Sequence, residues 1–75
     1  MSYSRSERDF LKTFGTRVRR VREDKKLTQE QLAFLSGLHR TYVGAVERGE
    51  RNIGLLNLRK LVEALDCQIS DLLRL

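Results

Sequence analysis

The chain has 75 residues, 40% of them hydrophobic and 33% charged, with 15 Lys and Arg against 10 Asp and Glu for a net charge of +5. It amounts to one small domain burying roughly 60% of its unfolded surface, too small for a large enzyme scaffold or a separate effector domain. One cysteine and one histidine exclude an internal disulfide framework and a protein-only zinc site, while the basic balance makes a polyanion the first partner to consider.

The basic excess opens the chain. Residues 1–27 hold nine Lys and Arg against four Asp and Glu, whereas the charges of 28–54 and of 55–75 cancel. Such an edge either lies along a phosphate backbone or simply keeps a small protein solvated. Ser4 with Glu7, and Ser6 with Asp9, both offer N-cap chemistry. Phe10, Phe14, Val18 and Val21 then recur at three- and four-residue spacing and predict a first helix. Gly15 inside it costs up to ~1 kcal/mol against alanine, which close packing would explain.

Thr28 and Gln31 form a second capping box. A short helix follows through Leu32, Ala33 and Leu35, and Gly37 ends it. A third helix is bounded by His39 and Gly49, with Val43 and Val46 facing inward. Residues 50–54 read as a loop. Leu55, Leu58, Leu61, Val62 and Leu65 mark a fourth helix, Asp66-Cys67-Gln68 an interruption, and Ile69, Leu72 and Leu73 a last short helix. No segment reads as a strand, so the expected fold is all-α, a compact bundle of about five short helices forming a single domain over 1–75.

Residues 29–48 read QEQLAFLSGLHRTYVGAVER and carry the most information. Leu32, Leu38, Val43 and Val46 are apolar where two short helices bury a shared face. Ala33 is small where those helices cross. Gly37 stands where the connecting turn wants a positive φ, which glycine adopts without penalty. Together they describe a helix-turn-helix at about 28–48, whose second helix enters the DNA major groove. The plainer alternative is an αα-hairpin that binds nothing.

On these residues the chain resembles the helix-turn-helix regulators related to the phage repressor and Cro proteins. The likeness runs through Phe14-Gly15, Arg22, Thr28-Gln29-Glu30-Gln31-Leu32-Ala33, Gly37, Glu47-Arg48-Gly49 and Leu65. Residues 37–42, GLHRTY, followed by 47–53, ERGERNI, are similar to the controller proteins of restriction–modification systems. That resemblance implies a small homodimer that binds operator DNA and regulates its own gene together with that of the endonuclease. His39 departs from the general pattern, which has serine or threonine there, and histidine is a poorer cap.

Exposed side chains at the start of the third helix are the candidate base readers. Arg40 leads, because its fork bonds both guanine O6 and N7; a phosphate clamp is its alternative. Thr41 offers contact to a thymine methyl or a phosphate. Tyr42 either places its hydroxyl on DNA or packs its ring at the helix root. Gly44 and Ala45, if they face DNA, allow close approach and shift readout partly onto DNA shape. The resemblance implies phosphate contacts for Gln29, at a helix N-terminus, and for Arg51 and Asn52 in the following loop. Arg17 is a further phosphate candidate, and His39 either contacts the backbone or is solvated. The resemblance also implies an ion pair between Arg22 and Glu47 that orients the recognition helix.

One recognition helix covers too few base pairs for useful specificity, and proteins of this type pair up on two half-sites about 34 Å apart. Segment 55–75 is the expected dimer surface, with Leu56, Ile69, Leu72, Leu73 and Leu75 as candidates; the alternative is that several of them complete the core. No enzymatic residue set, metal, cofactor or small-molecule effector is expected. No stretch approaches the ~18 apolar residues of a membrane span, and a charged N-terminus argues against a secretory signal, so a cytoplasmic location is expected. Two other readings share the fold. One is an antitoxin-type module that binds protein as well as DNA, against which stands the want of a tail to wrap a toxin. The other is a phage lysogeny regulator.

Overall fold

The computed structural model describes residues 2–74, and helices are the only regular elements among them. Helix α1 spans Arg5–Asp24. Of the two candidate caps the chain uses Ser4: its hydroxyl accepts from the Glu7 amide at 3.1 Å, and its own amide donates to Glu7 Oε1 at 2.8 Å. Ser6 is thereby drawn into the first turn. The helix buries Phe14, Gly15, Val18 and Arg22, while Phe10 stays 44% exposed, so the apolar stripe read from the sequence begins one turn early.

Helix α2, Gln29–Ser36, starts at the reciprocal Thr28–Gln31 box and ends at Gly37 with φ 74°. Leu32 and Ala33 are its buried apolar residues, and Leu35, expected on the same face, is 54% exposed. Helix α3, Arg40–Glu47, begins at His39, whose side chain makes no capping hydrogen bond, as its poor cap chemistry leads one to expect. Helix α4 spans Leu55–Leu65 and ends at Asp66, a non-glycine residue at φ 50°. Helix α5 is a single turn, Ile69–Leu72, in which the Gln68 amide donates to Asp71 Oδ2 at 2.8 Å.

Leu32, Leu61, Leu65, Leu72, Val18, Val43 and Val46 form the fully buried centre. Around it α1 lies on α3 and α5, and α2 lies on α3 and α4. Gly15 explains how α1 gets so close to α3. A Cβ there would collide with the Val46 carbonyl oxygen and stand 2.6 Å from that of Glu47. Gly49, at φ 77°, does the same one turn further on, where a Cβ would stand 2.7 Å from Lys12 Cα.

The C-terminal leucines divide. Leu72 has no exposure, so its expected place in a dimer surface is corrected to the core: it is the buried residue of a one-turn helix that packs against α1. Leu73 is half-buried against the same core. Leu56 is 67% and Ile69 49% exposed, and Leu55, not anticipated, is 78% exposed. Leu75 lies outside the described residues. Cys67 is half-buried, and burial pushes its thiol above the ordinary range. No described helix is long and apolar enough to cross a membrane.

Candidate nucleic-acid interface

The site rests on a buried polar knot. Arg22, from α1, lays its guanidinium on Glu47, at the end of α3, with Nε to Oε2 2.6 Å and Nη2 to Oε1 3.0 Å. Its Nη1 donates to the Leu27 carbonyl at 2.8 Å, and Gln29 Nε2 donates to Glu47 Oε1 at 3.0 Å. Both charged side chains are buried. The hydrogen bonds it donates to Glu47 hold the arginine above its usual range; burial opposes this and the carboxylate's charge adds to it. Two charges taken out of water need this degree of pairing. Among the described residues no buried side-chain nitrogen or oxygen is left without a partner. The knot joins α1, the start of α2 and the end of α3, and so sets the angle at which α3 is presented.

The exposed start of α3 carries His39, Arg40 and Thr41. Tyr42 does two things at once. Its ring packs against the core, and its hydroxyl accepts from Asn57 Nδ2 at 3.2 Å. The Arg51 guanidinium lies 5.8 Å from the centre of that ring, within cation–π range. His39, Thr41, Tyr42 and Arg51 share one surface depression of about 450 Å³ with Ala45, Arg48 and Glu50.

Three candidates sit elsewhere or otherwise than expected. Gln29 is half-buried with one amide N–H committed to Glu47. Arg17 lines a small depression with Phe14, Leu72, Leu73 and Arg74, and not the one containing α3. Asn52 is exposed but borders Tyr3, Glu7, Phe10 and Leu11 of the α1 end. Ala45 borders the depression on α3 while Gly44 is covered. Both are buried, and Gly44 lies beneath the side chains of Arg48 and Gln29, so the middle of α3 does not meet solvent as bare backbone. The residues not anticipated are Arg48 and Glu50. Arg48 stands seven positions after Thr41, two turns along one helical face, and that spacing was the available signal.

Comparison with known proteins agrees with this geometry. Residues 18–72 match the family described as helix-turn-helix. The control protein C.BamHI of Bacillus amyloliquefaciens is 49% identical over 61 residues, 80% of this chain and 75% of that one. The control protein C.SmaI of Serratia marcescens is 48% identical over 65 residues, 87% of this chain and 77% of that one. The crystal structure of the restriction–modification controller protein C.AhdI from Aeromonas hydrophila superposes with a TM-score of 0.82 at 56% identity, covering 84% of this chain and 96% of that one. The chain belongs to the helix-turn-helix family of DNA-binding transcriptional regulators, and within it is similar to the restriction–modification control proteins.

Proposed function

We propose that this regulator binds a two-fold symmetric operator as a homodimer and controls its own gene together with that of a restriction endonuclease. The observation that carries the DNA-reading face is the exposed start of α3, with Arg40 and Thr41 free, held at a fixed angle by the buried Arg22–Glu47–Gln29 knot. A rigid element presenting a planar fork suits a guanine edge in the major groove. Gln29, Arg51 and Asn52 are assigned to phosphates beside it. The dimer surface is assigned to Leu55, Leu56 and Ile69, which border an apolar depression of about 320 Å³ with Leu58, Arg59 and Val62. The likeness to control proteins supports the choice of regulated genes.

Selection from a randomised duplex library tests the reading. The expected product is a palindromic motif with half-sites about one helical turn, ~34 Å, apart. Recovery of DNA without any motif overturns it.

A further inference from the structure

The knot leaves one arginine of the reading face unexplained. Arg48 follows the last residue of α3, yet its side chain does not continue outward from the helix end. It folds back along the helix, so that a Cβ added at Gly44 would stand 3.2 Å from its Nη1. Glu50 holds it there with two bonds, Nε to Oε2 at 3.0 Å and Nη2 to Oε1 at 3.2 Å. The backbone under this pair is set as well. The Glu50 amide donates to the Ala45 carbonyl at 2.9 Å and the Gly49 amide to that of Val46 at 3.0 Å. The intervening turn needs Gly49, at φ 77° with Lys12 backbone against it.

We propose that Arg48 is a second base reader, taking the N7 and O6 acceptors of a guanine through the end of its fork, and that Glu50 is the positioning residue that aims it. The proposal rests on the DNA-binding reading of this face. Three observations carry it. First, Arg48 and Glu50 line the same depression as His39, Thr41, Tyr42 and Arg51. Second, Arg48 stands seven positions after Thr41, two turns along the same helical face, and covers the stretch where Gly44 supplies no side chain. Third, the carboxylate takes the Nε side of the guanidinium. Both hydrogens of Nη1 and one of Nη2 remain, an edge that matches two parallel acceptors. Glu50 by itself would repel the phosphates on either side, so an acid in this position is consistent with service to a neighbouring arginine. It stays ionised, since the bond from Arg48 holds its carboxyl below the usual range, against a small opposing effect of burial.

The test starts from the site selected by the wild type. Competition binding against single base-pair variants of that site is measured at two salt concentrations, with a thermal melt of each protein. Arg48→Ala is expected to cost about tenfold or more in discrimination at one G·C pair per half-site, a different pair from the one Arg40 reads. Arg48→Lys keeps the charge and the salt slope but loses the same discrimination, because an ammonium is not a fork. Glu50→Gln removes a repulsive charge and yet lowers preference at that same pair several-fold. Gly44→Ala improves helix propensity, so its melt is not lowered, while the added methyl displaces Arg48 and lowers preference at that pair. Full retention of preference by Arg48→Lys, with Arg48→Ala weakening all sequences alike, makes Arg48 a phosphate clamp and overturns the proposal. Uniform tightening by Glu50→Gln overturns the positioning role. A wild type that selects no motif overturns the DNA reading itself, whereas a clear motif indifferent to Arg48→Ala overturns this inference alone.

Discussion

Glu47 accepts three N–H donors, two from Arg22 and one from Gln29. Cutting it to alanine leaves a guanidinium with little access to water and no counter-charge. Glu47→Ala is therefore expected to lower stability by about 3–5 kcal/mol, and Arg22→Ala by a similar amount; unchanged thermal melting in either would show that the knot contributes nothing. The exposed arginines respond differently. Arg40→Ala is expected to cost about 1–3 kcal/mol and relax preference at one base pair, whereas Arg51→Ala weakens all sequences alike and shallows the salt slope. Competition titrations at several salt concentrations separate the two, and identical behaviour would refute the division of roles. Legibility varied with chemistry at this scale. Arg40 and Thr41 declared themselves because they open a helix whose other face is apolar. The partnership of Arg22 with Glu47, 25 positions apart, was reached only through family resemblance, since periodicity within one helix says nothing about its partner. Arg48 escaped because it closes the helix, where the course of a side chain back over Gly44 is a tertiary detail that spacing does not give.

Helix boundaries were the most legible elements, because capping is local chemistry. Ser4 with Glu7, Thr28 with Gln31, and Gly37 act where the sequence places them. Burial was less so. The eight residues of α2 turn Phe34 and Leu35 outward, with Phe34 87% exposed, because two turns offer only Leu32 and Ala33 a place against α3 and α4. Likewise the four residues of α5 are too few for periodicity to tell Leu72, inside, from Ile69, outside. Two substitutions probe the joints between elements. Gly15→Ala gains helix propensity but drives a methyl into the backbone of α3. We expect a net loss of about 1–3 kcal/mol, read from denaturant midpoints, and a gain would mean that α1 and α3 part without cost. Asp66→Gly relieves a left-handed residue at the end of α4 and keeps its backbone acceptor for Lys25 Nζ. A gain of up to about 1 kcal/mol is expected, and destabilisation by the same assay would show that the aspartate side chain does more than turn the chain.

Over the whole molecule, the basic charge of residues 1–27 does not map onto the reading face as a single sheet of cations. Arg22 is buried in the knot and Arg17 lies beside the C-terminal residues, so charge counted along the chain overstated what this segment brings to the depression on α3. The proposed pairing of two chains rests instead on Leu55, Leu56 and Ile69. Leu56→Lys is expected to leave the melt of a dilute sample nearly unchanged, because the side chain is already 67% exposed. In sedimentation at micromolar concentration it should turn a species of twice 8.8 kDa into one of 8.8 kDa. A wild type that sediments at the single-chain mass refutes the dimer. The lock between α1 and α3, made by Gly15, Gly49 and the buried ion pair, bears on the thermodynamics of association. The recognition helix is already ordered before any DNA arrives, so binding carries no coupled folding of α3 and its entropic cost falls mainly on the exposed arginines. The heat-capacity change on binding should accordingly scale with the surface removed from water at the contact, as for two rigid bodies meeting.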